Sequence, residues 1–147
     1  MQSNKPKAII YEEQTFNVGE DVFIESTAEN NYAVIFEDNG ETGYLYAVDR
    51  NDNGLKILDA LHIYDVANVT DKDQPSTAKI LWTEDLSKAI LSINNYYHAV
   101  VDFQNQAGYC RTGFPQPKNP WVKQKERKLT DSSLNELFKK IIPPLPA

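Results

Sequence analysis

A histidine, an aspartate, the chain's single cysteine and an arginine fall within fourteen positions: His98, Asp102, Cys110 and Arg111, in the stretch YYHAVVDFQNQAGYCRTGFP at residues 96–115. These are the residue types of acid–base and nucleophilic catalysis, and His62 supplies the second histidine. Their spacing argues against a local active site. If residues 97–104 are a strand, side chains alternate, and His98, Val100, Asp102 and Gln104 share one face. His98 and Asp102 then lie about 13 Å apart at ~3.3 Å per residue, whereas a base and its orienting carboxylate need contact near ~3 Å. Only a bulge, or His62 as the true partner, would restore the dyad. Arg111 beside Cys110 would lower a thiol pKa, but no local histidine activates the sulfur, and a lone cysteine is more often a small buried hydrophobe. His62, His98, Asp102, Cys110 and Arg111 therefore remain pocket candidates that require convergence across strands. No catalytic residue is assigned, and the sequence favours a protein that is not an enzyme.

Metal and cofactor chemistry fare no better. Asp49, Asn51, Asn53 and Gly54 match the first half of a calcium loop, but the position that needs a bidentate glutamate holds Ala60, with Asp59 one place early. An Asn-Gly hairpin turn explains the same residues. Structural zinc needs about four ligands, and two histidines and one cysteine without short paired spacing do not provide them. There is no Gly-rich phosphate loop, no nucleophile elbow and no dinucleotide fingerprint. No metal and no cofactor are expected.

Surface character is the richer signal. Glu37, Asp38, Glu41 and Asp49 sit near the ends of a predicted hairpin, and Tyr44 and Tyr46 share one face of its second strand. Tyr32 and Phe36 are expected beside them on the neighbouring strand. Tyrosine beside acid suits a surface for a basic protein, because aromatics anchor and charge steers. The competing reading is that these aromatics are core and these acids are solvated turns.

The elements that must position these residues are mostly strands. From Asp21, alternation predicts DVFIEST, NNYAVIFED and GYLYAVDR, with turns at Asn39-Gly40 and Asn53-Gly54. LKILDALHIYDV follows as one strand, a bent strand or part helix, with the strand favoured because it completes a meander. After a loop at residues 67–77, AKILWT, KAILSIN and YHAVVDFQ predict a second meander. Pro115, Pro117 and Pro120 make GFPQPKNPW a stiff extended connection. Leu134, Leu137, Phe138 and Ile141 form one helical face, with Asp131 or Ser133 as cap, Ser133 and Glu136 as a capping box, and Pro143-Pro144 as the stop. The expected fold is α+β: mainly antiparallel sheet from two β-meanders and one C-terminal amphipathic helix. It forms a single domain over 1–147, with an N-terminal arm at 1–20 holding at most one short strand, a β body at 21–110, a Pro-rich basic connection at 111–130 and the helix at 131–142.

Charge is unevenly spread over the 147 residues. Residues 1–110 carry seven basic against eighteen acidic side chains, a net of −11; residues 111–147 carry eight against three, a net of +5. An acidic body repels phosphates, so nucleic acid is not an expected partner; a protein with a basic surface is. No apolar run reaches the roughly 18 residues of a membrane span, so no membrane partner is expected. The start MQSNKPKAII lacks the apolar region of a signal peptide, which predicts a cytoplasmic protein, or a periplasmic one if a leader was removed upstream.

YAVIFEDNGETGYLYAVD, LDALHIYDV and ILWTEDLSKAILSINNYYHAVVDFQNQAGYCRTGFP resemble the bacterial family known as domain of unknown function 2251, over about residues 20 to 121. The resemblance implies a small bacterial protein with no established activity and supplies no catalytic residues. Small acidic bacterial proteins of this type include toxin-neutralising immunity proteins, an analogy of type rather than of motif. The sequence as a whole thus reads as a non-catalytic protein-binding module, plausible as an immunity-type inhibitor, with a small His/Asp/Cys/Arg enzyme or ligand-binding domain as the alternative.

Overall fold

Asn39 and Gly40 reverse the chain at the tip of its central hairpin. Gly40 takes φ 94°, and the Asn39 side-chain oxygen accepts the N–H groups of Glu41 and Thr42 at 2.9 Å each. That turn belongs to a computed structural model that describes residues 8–28, 31–51, 54–124 and 126–138. Its elements are β1 (Ala8–Phe16), β2 (Val22–Thr27), β3 (Tyr32–Asp38), β4 (Thr42–Asn51), β5 (Gly54–Asp65), β6 (Ser76–Thr83), β7 (Lys88–Ile93), β8 (Tyr96–Asp102), β9 (Ala107–Cys110) and α1 (Asp131–Phe138), with a single 3-10 turn at Val66–Asn68.

Strands β2-β3-β4-β5 form one antiparallel meander, and β6-β7-β8-β9 form a second. The ambiguous segment after Gly54 is one long strand, β5. Its register against β4 slips at Ala47/Val48 and at Gly43/Tyr44, so irregular alternation rather than helical periodicity explains its pattern. Residues 8–16, within the expected arm, contribute a nine-residue strand that pairs with β6 and gives the second sheet order β1-β6-β7-β8-β9.

The two sheets face each other across one core. Ile24, Val34, Phe36, Leu45, Ala47 and Leu61 come from the four-stranded sheet; Ile80, Trp82, Ala89, Leu91, Ala99 and Val101 come from the five-stranded one. Trp82 is fully buried and donates its indole N–H to Ser26 Oγ at 2.9 Å, satisfying both polar groups inside the core. The outer face of the five-stranded sheet is covered by α1, whose Leu134 and Phe138 pack with Leu129 on Ile90 and Val100.

Helix α1 is capped one turn position earlier than its sequence suggests. Thr130 Oγ1 accepts the Ser133 N–H at 3.0 Å, and Ser133 Oγ accepts the Thr130 N–H at 2.8 Å. Thr130 with Ser133 thus forms the reciprocal box expected of Ser133 with Glu136. Residues 139–142 of the predicted helix, Asn53 of the calcium-loop reading and residues 1–7 of the arm lie outside the described residues.

Candidate functional site

Strand alternation decides which hairpin residues share a surface. Val34 and Phe36 of β3 enter the core, and Tyr32 packs against it, so the outward positions are Ala33, Ile35 and Glu37. On β4 the outward residues are Tyr44, Tyr46 and Val48. The register sets Glu37 opposite Tyr44 and Ile35 opposite Tyr46. Tyr32 and Phe36, expected beside the two tyrosines, therefore lie on the opposite face. Tyr32 stacks on Phe103 and Phe36 meets Phe16 edge-on, both within the core.

Tyr44 and Tyr46 stand parallel, with ring centroids 5.9 Å apart and planes 16° apart. His62 of β5 meets Tyr44 edge-on at 5.5 Å, and Phe114 meets His62 edge-on at 5.9 Å. Burial holds the Tyr46 hydroxyl above its ordinary pKa, with Glu37 and Tyr44 adding to the effect, so it remains a hydrogen-bond donor. Beside these rings lies a groove of about 600 Å³. Its floor is Tyr44, Tyr46 and Ala60, and its wall is the Pro115–Pro120 segment. That segment is tied along β5: Thr112 Oγ1 donates to the His62 carbonyl at 3.1 Å, His62 N–H donates to the Phe114 carbonyl at 2.9 Å, and Asn119 Nδ2 donates to the Ile57 carbonyl at 3.0 Å. The prolines were legible as a stiff connection; that they wall a groove needs the tertiary placement of β5.

Of the six residues predicted for a binding face, three converge on it: Glu37, Tyr44 and Tyr46. Glu41 is exposed in the turn at one end. Asp49 pairs with Tyr32 at the opposite end of the strand, in register with the inward face. Asp38 is a correction, because it is 1% exposed and its carboxylate accepts the Gly19 N–H at 2.7 Å, the Gly40 N–H at 2.8 Å and the Tyr64 hydroxyl at 2.7 Å. It holds the turn and the β1–β2 connection together, and it meets no solvent. An aspartate two positions before a turn glycine was the available signal.

The alternative pocket does not assemble. A register shift at Leu91/Ser92 places Ala99 opposite Leu91 and Tyr97 opposite Ser92, leaving His98 as an extra residue in β8. The predicted sharing of one face by His98, Val100 and Asp102 is thereby overturned. His98 lines a cavity with Val18, Tyr64 and Ile93, whereas Val100 packs under α1. Burial, then the Arg111 charge, depresses the His98 pKa to about 4, so it is neutral at ordinary pH. Asp102 is buried and accepts the backbone N–H of Asn105 at 3.1 Å and its side-chain N–H at 2.9 Å, with Lys88 at 3.9 Å. Arg111 donates to the Tyr97 carbonyl at 2.8 Å and to Asp131 at 2.9 Å, and lies over the Tyr96 ring, so it latches the start of α1 onto the sheet.

Two members do approach each other. Asp65 Oδ1 lies 2.9 Å from His62 Nε2, His62 Nδ1 lies 3.2 Å from Thr112 Oγ1, and Thr112 Oγ1 lies 3.6 Å from Cys110 Sγ. An acid, an imidazole and a hydroxyl in that order resemble a nucleophile's activating chain. Here, however, Cys110 is fully buried with its thiol on the Phe114 carbonyl, and the Thr112 hydroxyl already serves the His62 carbonyl. The chain of contacts fixes the 112–120 segment against β5.

Sequence reasoning missed one buried charge pair. Arg127 donates to both carboxylate oxygens of Asp59 in the space beside Gly108, where a Cβ would overlap Asp59 Oδ2. In the sequence Asp59 stands out only as an off-register calcium ligand.

A family model described as an uncharacterized protein conserved in bacteria, domain of unknown function 2251, matches residues 16–138. An uncharacterized protein of Haemophilus influenzae is 44% identical over 92 residues, which cover 63% of this chain and 57% of that protein. The matched part thus spans little more than half the length of that relative. No solved structure matches the chain.

Proposed function

The chain belongs to this bacterial family of uncharacterized proteins, and we propose that it is a non-catalytic binding module whose Tyr44–Tyr46 face and adjoining groove dock a protein with a basic surface. The observation that carries this reading is the contrast between the two outer sheet faces. One is covered by α1; on the other, Ala33, Ile35 and Val48 pack into a small buried cluster with Tyr46, and Phe23 (61%), Ile57 (51%) and Phe114 (58%) are exposed around the tyrosines. Apolar and aromatic side chains left in water at the rim of a concave groove are the usual composition of an interface centre.

Charge favours a basic occupant. Glu37 stands opposite Tyr44 and Glu41 lies in the adjacent turn, against Lys118 in the groove lining, and the whole chain carries a net of −6. Such a field accelerates encounter with a basic surface and repels phosphate backbones. An immunity-type inhibitor of a basic toxin is one form of such a module, supported by the acidic side chains at the face. Among the described residues, no helix is long and apolar enough to cross a membrane.

The test is affinity capture from the native host at low and high salt, with the wild-type chain and an E37Q/E41Q variant as bait. The reading expects a basic protein held by the wild type, weakened by salt and weakened again by the variant. Capture insensitive to both salt and the variant would remove the electrostatic basis of the proposal.

A further inference from the structure

The sandwich has four edge strands, β1 and β9 in one sheet and β2 and β5 in the other. Unpaired edges are templates for other strands, and natural sheets blunt them. The β9 edge is covered by residues 127–129: Cys110 N–H donates to the Arg127 carbonyl at 3.0 Å, and Leu129 N–H donates to the Cys110 carbonyl at 2.7 Å. The β5 edge is covered by the proline-rich segment through its bonds at His62 and Ile57. The β2 edge is short, at six residues.

β1 is different. It is nine residues long, and among the described residues its sole strand partner is β6. Seven of its residues are exposed, including Ile9 at 48%, Ile10 at 48% and Tyr11 at 43%. A bulge between Ile10 and Glu12 divides the edge into Ala8–Ile10 and an unbroken run Glu12–Phe16. We propose that β1 is an accepting edge for strand addition, and that its occupant is an extended partner segment with basic side chains opposite Glu12 and Glu13 and apolar ones toward Ile9, Ile10 and Tyr11.

The carboxylates choose between occupants. A second copy paired antiparallel over the whole of β1 would bring the two Glu12 side chains directly opposite each other, with Glu13 on the diagonal, and like charges so placed destabilise a strand pair. A lysine- or arginine-bearing strand meets the same positions with opposite charge. In strand addition, backbone hydrogen bonds supply the affinity and alternate side chains supply the choice of partner. This edge lies in the other sheet from the Tyr44–Tyr46 face, so the inference stands whether or not that face binds.

The experiment uses the full chain, isotope-labelled, with three synthetic nine-residue probes: alternating valine and lysine, alternating valine and glutamate, and the lysine peptide N-methylated at every second residue to remove its ladder donors. The expected result is that the lysine peptide shifts the amide signals of residues 8–16 and slows their hydrogen exchange. The glutamate and N-methylated peptides do neither, and E12K/E13K weakens binding at least about tenfold while the protein still melts cooperatively, at a somewhat lower temperature because position 13 faces Lys79. Equal binding of the N-methylated peptide would reduce the effect to charge attraction and overturn the proposal. So would perturbation elsewhere than β1, no binding by any probe, or a dimer in sedimentation that E12K/E13K abolishes.

Discussion

Arg127 Nη2 lies 2.5 Å from Asp59 Oδ1 between the two sheets, with both side chains at most 3% exposed. The arginine comes from the basic connection and the aspartate from β5, so the pair pins the chain's positive segment into its acidic body. Burial pushes the Asp59 carboxyl above its ordinary pKa, and Arg127 pulls it part of the way back. Removing the cation leaves a buried carboxylate uncompensated, which costs about 3–5 kcal/mol in such settings. Arg127→Met should therefore lose stability of that order near pH 7 in urea unfolding. Without Arg127 the folded carboxyl titrates still higher, above its unfolded value of about 3.9, so the variant regains stability as pH falls through that window. D59N/R127M should recover part of the loss at about pH 7, because replacing both partners removes the stranded charge. A single variant as stable as wild type would show that the pair holds nothing.

Asp38 and Glu37 are neighbours in sequence with opposite tasks. Asp38 takes three hydrogen bonds inside the fold, whereas Glu37 points outward beside Tyr44. Bonds to a charged group are worth roughly 1.5–3 kcal/mol each, so Asp38→Ala should cost several kcal/mol, on the order of 3 or more. Glu37→Gln should stay within about 0.5 kcal/mol of wild type, as surface changes do. Chemical denaturation of both variants reads the difference directly, and equal losses would contradict the assignment.

His98 gives a pH dependence of fixed sign. Its folded pKa, about 4, lies below an unfolded value near 6.5, so its contribution to stability is present above about pH 6.5 and lost as pH falls toward 4. Between about pH 7 and pH 5 the wild type should lose about 2 kcal/mol more than His98→Gln. An imidazole proton titration with a midpoint near 6.5 would remove this effect and its cause, burial beside Arg111.

The central hairpin was legible because Gly40 accepts positive φ after Asn39, and that tight turn is where the letters put it. The amphipathic helix was legible from Leu134 and Phe138, both buried. What failed was alternation through irregular strands. One extra residue in β8 moved His98 off the face of Asp102, and choosing the wrong face for Tyr32 and Phe36 put core aromatics on the surface. Local pattern does not encode a bulge that tertiary packing imposes. Nor could spacing reveal that Arg127 meets Asp59, sixty-eight positions away, or that Pro115–Pro120 would wall a groove on β4 and β5.

The account turns on the half-buried tyrosine pair and its groove, and hydrogen exchange of the complex with the captured partner tests it most directly. The prediction is slowed exchange confined to β4, β5 and residues 112–120, together with at least about tenfold weaker binding by Y44A/Y46A, as hot-spot aromatics lose when truncated. Protection at α1 or at the cavity around His98, with Y44A/Y46A binding as well as wild type, would contradict it.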